Sequence, residues 1–361
     1  ANAGRKFALP KEMAPLKGIW DAGKLAVLAN VGPLAVPTTP TQFRNAAVPL
    51  PPKLFSHNDQ QSIWQASAPE GASYGWGGRL GDLFANGNAN GIFTANSISG
   101  STIWLAGQTV VAYQLSTQGS IRISAINGSV FGSNTASAAV KSLITTGGNH
   151  LFAQDHANTT ARSINADVTL ATALMSVPDL PIPEGANNML AAQLRVVARV
   201  IAARNTLGVK RQVFFVELGG FDTHDSQLDR LPVLHARVAS ALKYFYDAMN
   251  TLQVANQVTT FTASDFGRTL TSNGDGSEHG WGGHHFIMGG AVRGKRYYGS
   301  FPQMGLGNAD DVGSGRTVPT TSVDQYAATL ARWFGVTTDS DMRLVLPNIG
   351  EFSNTNLGFM G

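Results

Sequence analysis

Three polar clusters in the second half of the chain hold the residue types that metal binding and acid–base chemistry need. Gly219-Gly220-Phe221-Asp222-Thr223-His224 sets a carboxylate two residues before an imidazole, and such a pair in a loop can point at one cation. Ser264-Asp265-Phe266-Gly267-Arg268-Thr269 adds a second carboxylate and a guanidinium. Glu278-His279-Gly280-Trp281-Gly282-Gly283-His284-His285 adds three imidazoles and another carboxylate. Oxygen and neutral imidazole donors suit zinc, manganese or iron better than calcium, which prefers oxygen alone. Asp222, His224, Asp265, His279 and His284 are the candidate ligands.

Each of these residues also has a plainer reading. Asp222 and Asp265 taken singly read equally well as helix caps, and it is the three clusters together that favour a site. His284 and His285 are neighbours at a strand entrance and face opposite sides, so at most one joins a shared centre. Glu278 either ligates or orients His279 as an outer carboxylate. Arg268 offers a fork of donors to an anionic substrate; its plainer role is an ordinary carboxylate partner. A fourth stretch, Ser56-His57-Asn58-Asp59, places His57 where it could reach the same face as a catalytic group. The plainer reading of His57 is a loop histidine packed on Trp64.

These clusters need a scaffold, and its grammar is clearest in the second half. Residues 190–203 form an amphipathic helical pattern with Leu194, Val197, Val200 and Ile201 on one side. QVFFVEL (212–218) reads as a buried strand that runs into the first cluster. Leu231, Leu234, Val238, Ala241, Leu242, Phe245 and Met249 mark the face of a long helix. Residues 258–263 read as a strand leading into the second cluster, and 286–288 as a strand following the third. A last helix covers Val323–Phe334. Strands alternating with helices predict a parallel sheet covered on both faces, with the site beyond the carboxyl ends of its strands.

The first half is less regular. LAVLANV (25–31) reads as a buried strand preceded by a helix near 12–22. Residues 33–52, rich in Pro, Thr and Asn, read as loop, and 79–84 as a short helix. The short stretches 103–105, 109–113 and 120–124 suggest antiparallel strands; residues 136–177 turn helical and 178–185 form a linker. No internal repeat is visible.

The composition narrows the function classes. The chain has 361 residues, 43% hydrophobic and 14% charged, which suits a large globular core. Its net charge is only +3 and its basic residues are scattered, so nucleic-acid binding is not indicated. Without cysteine, any metal must be held by oxygen and imidazole. No run of about 18 apolar residues marks a membrane span. Residues 1–4 are no signal peptide and are compatible with a processed start.

The stretches LAVLANVG, LFSHNDQQSIWQ, YGWGGRLGDLF, FFVELGGFDTH, FTASDFGRTLTSNGDGSEHGWGGHHFIMGGAV and TSVDQYAATLARWFGV resemble the bacterial family called domain of unknown function 1501, over nearly the whole chain. Its members look like relatives of the alkaline phosphatase and sulfatase superfamily. That resemblance implies an α/β/α sandwich with a mostly parallel central sheet in a single domain over 1–361, into which the differently patterned middle of the chain, 91–180, reads as a small β-rich insertion or cap. Many members carry twin-arginine export signals, which implies a periplasmic or extracellular location. By analogy, Asp222 and His224 resemble the Asp and His that hold one metal, and His279 the late histidine that completes that site. Asp265 resembles the Asp of an Asp-His pair that holds a second metal, but Phe266 stands where the histidine of that pair would be. Glu278 stands where the family motif has Asp. Residues 1–10 lack the N-terminal strand and Gly-Gly-Asn-Asp type loop expected of the family, where the superfamily keeps a metal-binding Asp and its nucleophile. Ser56 is a weak substitute for that nucleophile.

The leading expectation is an exported hydrolase acting on small anionic phosphate or sulfate esters. It would use a divalent metal, zinc or manganese ahead of iron or calcium. An exported binding or surface protein that keeps the fold without turnover is the second reading, and a mononuclear-metal oxidoreductase the third.

Overall fold

The structure, a computed structural model, describes residues 4–361, so residues 1–3 of the expected processed start lie outside the described chain. The strands are β1 (Leu25–Gly32), β2 (Ala95–Ser97), β3 (Tyr113–Ser116), β4 (Gly119–Ser120), β5 (Val213–Phe215) and β6 (Thr259–Phe261). They continue with β7 (Gly267–Ser272), β8 (Ser277–Gly280), β9 (Gly283–Gly289), β10 (Tyr297–Tyr298) and β11 (Thr321–Ser322). The helices are α1 (Lys17–Asp21), α2 (Pro40–Arg44), α3 (His57–Ala66), α4 (Trp76–Phe84), α5 (Asn134–Thr145) and α6 (Leu151–Met175). After them come α7 (Met189–Ala202), α8 (Arg204–Leu207), α9 (Gln227–Thr251), α10 (Val323–Phe334) and α11 (Asp339–Val345).

These elements make a mixed α/β protein without a closed barrel. One sheet runs β10-β1-β9-β6, with β11 also paired to β1. β10 and β11 are parallel to β1, while β9 is antiparallel to both β1 and β6. A second sheet runs β4-β3-β2-β5, parallel between β3, β2 and β5 and antiparallel between β3 and β4. β7 and β8 form a separate antiparallel pair. This corrects the expected mostly parallel central sheet. Between β6 and β9 the chain forms the β7–β8 pair and no helix, so the crossover that a parallel strand requires is missing.

Side-chain alternation gives the strands two apolar faces. Leu25, Phe214 and Met288 join one core with α7 and α9, while Leu28, Phe215 and Ile287 join another with α4 and α10. The strand expected over 212–218 is shorter, and only Val213 in it is buried. β5 and β6 each stand at the end of a sheet.

Other local expectations also change. The loop over 33–52 contains α2, started by a Thr39–Gln42 capping box. Residues 103–105 form a 3₁₀ turn, and pairing in the 109–113 stretch begins only at Tyr113. The helix Val323–Phe334 is present with those bounds, but α11 follows it.

Several packing details brace the end of the main sheet. β1 shifts register between Leu28 and Val31, where Asn30 is fully buried at φ 52°. Asn30 Nδ2 donates to Val318 O at 2.8 Å, and a Cβ on Gly282 would lie 1.9 Å from Asn30 Oδ1. That contact explains the glycine after Trp281. The Trp281 ring is buried and its Nε1–H donates to Pro33 O at 2.7 Å, which ties the 33–55 segment to β8 and β9. Among the described residues, no helix is long and apolar enough to cross a membrane.

α3, which carries His57, is fixed at its far end by a buried polar contact. Its C-cap, Ser67 (φ 57°), donates from Oγ to Asp324 Oδ1 at 2.9 Å. Burial pushes the Asp324 carboxyl up to about 6, against the pull of Ser67 and Arg79. The native chain therefore holds this proton more tightly than the unfolded chain does. Its contribution to stability is full below about pH 4, declines from about pH 4 to about pH 6, and is flat above. Buried His285, pushed down to about 3, makes stability rise with pH over the same window. Urea unfolding is therefore expected to show the stability of Asp324→Asn rising more steeply from about pH 4 to about pH 6 than that of the parent chain.

Candidate metal centre

A loop, two strands and a helix start converge on the Asp222 carboxylate. The chain leaves β5 through Gly219 and Gly220, the latter at φ 97°, and turns so that Asp222 and His224 share one side. A close approach by the β7–β8 pair holds this loop: a Cβ on Gly276 would lie 2.4 Å from Thr223 O and from His224 C. His279 comes from β8 and Arg268 from β7, directly opposite each other in the ladder. His57 is the first residue of α3.

The contacts are short and centre on one carboxylate. Asp222 Oδ1 lies 2.9 Å from His279 Nε2, 2.9 Å from His224 Nε2 and 3.1 Å from Arg268 Nη1. Asp222 Oδ2 lies 3.2 Å from His57 Nε2, whose Nδ1 is 3.2 Å from Asp265 Oδ2. His279 Nδ1–H donates to Phe55 O at 2.8 Å, so its Nε2 is the bare nitrogen when the ring is neutral. The Nδ1 of His224 is 3.1 Å from Glu278 Oε2, which leaves its Nε2 bare in the same way. These two Nε2 atoms are 3.3 Å apart.

That geometry concentrates lone pairs. Two imidazolium rings would aim like N–H groups at each other across 3.3 Å, while two neutral rings leave both nitrogens and a carboxylate oxygen without a proton. One protonated ring donating to Asp222 resolves the conflict, and so does a cation seated among the three atoms. Two nitrogens bound to a tetrahedral zinc at about 2.0–2.1 Å would stand roughly 3.3 Å apart. The donor set Asp222, His224 and His279 therefore fits a divalent metal. His57, Asp222 and His279 also offer ligand atoms within 4.8 Å of one another.

Charge and packing gather these groups on the carboxylate. Without a metal, burial pulls the Asp222 carboxyl up, but hydrogen bonds from protonated His279 and from Arg268, with the imidazole charges, outweigh it and hold the group down at about 2. Hydrogen bonds from Asn273, then from His224, hold Glu278 below its ordinary value. The side chain of His279 is only 11% exposed. Phe266 stacks flat on it, with centroids 4.4 Å apart and planes 14° apart, and the Arg268 guanidinium lies 5.3 Å from the Phe266 ring centroid.

The family profile described as Protein of unknown function (DUF1501) matches residues 37–347. The chain belongs to this DUF1501 family. No curated protein and no solved structure matches it.

Most of the residues singled out in this DUF1501 chain come together: Asp222, His224, His279, Arg268, His57 and Asp265. His284 does not. Strand alternation turns its ring toward Phe301, with centroids 4.7 Å apart, and its Nδ1 accepts from Asn30 N–H at 3.0 Å. His285 points into the core, where burial pushes its imidazole down to about 3. It is His285, not His57, that packs on Trp64. Glu278 faces His224 and not His279, because neighbours on β8 face opposite sides. Ser56 donates to Asp59. Arg268 is already committed: Nε donates to Ser277 Oγ at 3.0 Å, Nη2 to Ser277 O, and Nη1 to Asp222.

Two supporting groups were missed. The Phe55 carbonyl that sets the His279 tautomer depends on φ 73° at Phe55, which no local sequence rule reveals for a phenylalanine. Gln60 accepts from Phe55 N–H at 2.6 Å and donates to Asp265 O at 2.5 Å. It sits one helical turn after His57 and so shares its face, a spacing that could have drawn notice.

Equilibrium dialysis against zinc, followed by metal analysis, is expected to find one tightly held ion per chain. Asp222→Asn should weaken binding by more than about 100-fold, since partners one step removed from a metal are themselves worth about 10–100-fold. Gly276→Ala, which displaces His224, should weaken it by about 10-fold, while Gly87→Ala, with open space at its Cβ, should leave it unchanged.

Proposed function

We propose that this chain is an exported, metal-dependent hydrolase of phosphate or sulfate esters, related to the alkaline phosphatase and sulfatase superfamily. The observation that carries the reading is the meeting of His224 Nε2, His279 Nε2 and Asp222 Oδ1 within 3.3 Å. The α/β/α sandwich and the export route rest on the motif resemblance alone.

Asp222, His224 and His279 would hold the metal. A divalent ion there supplies Lewis-acid polarisation of an ester oxygen and lowers the pKa of a bound water. His57, held between Asp222 and Asp265, is placed to hold a proton and pass it to the departing alcohol oxygen. Water oxygen adds at phosphorus or sulfur as the bond to the alcohol oxygen breaks; the alcohol leaves with the His57 proton, and the proton lost by the water restores His57 by way of solvent. Phe266 and the Phe55 carbonyl keep the His279 ring from turning. Arg268 uses three of its five N–H groups on Asp222 and Ser277, leaving two for an anion.

A second reading, an exported binding protein that keeps the fold, draws on two facts. The Ser56 hydroxyl is directed at Asp59, and Arg268 is largely occupied by protein partners. Assays of nitrophenyl phosphate and nitrophenyl sulfate with zinc- and manganese-loaded protein separate the two. Turnover abolished by chelator, and reduced about 100-fold in His57→Gln, is expected. A metal-loaded chain that hydrolyses neither ester would favour the binding protein.

A further inference from the structure

A cavity of about 300 Å³ opens beside the centre, between α3, the 101–103 segment and the end of β5. Its lining includes two carboxylates, Glu70 and Glu217, and no lysine, arginine or histidine. One oxygen of Glu70 accepts from Asn58 at 3.2 Å, and one of Glu217 from Ser99 at 3.3 Å. Neither carboxylate has an ion-pair partner among the described residues. In a chain of net charge +3, two uncompensated carboxylates in one concavity run against the overall sign. Gln61 and Gln65 add side-chain amides, and Phe215, half-buried against the core of α4 and α10, adds aromatic carbon to the lining. Carboxylates combined with aromatic carbon suit an organic ammonium group: the charge meets the carboxylates, and the C–H shell around nitrogen meets the aromatic side chain.

The cavity and the centre share two walls. α3 presents His57 and Gln60 to the centre and Asn58, Gln61 and Gln65 to the cavity. Adjacent residues such as His57 and Asn58 have Cα atoms about 3.8 Å apart. The chain runs from Glu217 in the cavity wall to Asp222, a path of at most about 18 Å even when extended.

We propose that this cavity binds the ammonium group of a small organic cation. Resting on the hydrolase reading, that group is carried by the alcohol part of the ester, so the preferred substrate is a zwitterionic aminoalkyl ester. Calorimetry of the full chain with choline, and with its neutral isostere in which carbon replaces the ammonium nitrogen, tests the cavity without any turnover. Choline is expected to bind about 10-fold or more tightly than the isostere. The doubly substituted Glu70→Gln, Glu217→Gln chain should lose that preference while keeping the parent melting temperature. Equal binding of the two ligands, binding of neither, or an unchanged preference in the double variant would overturn the assignment.

A second arm compares hydrolysis of choline phosphate with that of the isostere's phosphate. A kcat/KM at least about 10-fold higher for the choline ester, lost in the double variant, supports the substrate class. Hydrolysis of both esters at equal kcat/KM overturns it while the hydrolase reading stands. Carboxylate-dependent choline binding without hydrolysis of either ester sinks the hydrolase reading and upholds the cavity.

Discussion

The Asp222 carboxylate is the contact on which the other groups of the centre depend. It faces His57, His224, His279 and Arg268 at 2.9–3.2 Å, and no second carboxylate reaches the same set. Asp265 meets only His57, and Glu278 only His224 among the histidines. Without Asp222, the bare nitrogens of His224 and His279 would face each other with no anion between them. Its low proton affinity follows from the same convergence, because several donors favour the charged form over the neutral one.

Everything around the carboxylate limits rotation. Phe266 lies flat on His279 while the Phe55 carbonyl takes its far N–H. Glu278 does for His224 what Phe55 does for His279, and Asn273 in turn holds Glu278. Gln60 joins Phe55 to the backbone of Asp265, so the two sides of the centre share one hydrogen-bonded support. Outer partners of this kind set tautomer and ring direction, which decides whether a histidine presents a lone pair or a proton.

Much of this was legible in residue order. GGFDTH and SDFGR announced themselves because Asp, His and Arg rarely gather by chance in glycine-rich loops after apolar strands. Helix α10 was readable to its bounds from the Ser322–Gln325 cap and the apolar face of VDQYAATLARWF. Pair direction was not readable, since Phe286–Met288 is equally apolar in a parallel or an antiparallel setting. Its antiparallel sense to β6 depends on the β7–β8 pair standing where a crossover helix would be needed. His284 was misplaced for a related reason: two adjacent histidines are alike in sequence, and only their sheet register separates one facing Phe301 from one facing Trp64. The roles of Phe55 and Phe266 lay in backbone twist and ring stacking, which composition does not encode.

The pairing of β1 with β9 has a consequence for how the molecule assembles. Asn30 meets His284 across 254 positions of sequence, and His57 meets Asp222 and Asp265 across 165 and 208. Contacts of such span require large loops to close before they return any stabilisation, so they form slowly. During synthesis, β1 must wait unpaired until β9 has emerged, and α3, though packed on α4 and the 102–104 segment, must wait for its partners Asp222 and Asp265. The four segments of the centre are therefore joined among the last events of folding, and a ligand that grips all of them would act as a latch on the finished molecule, drawing the population toward the native state by mass action.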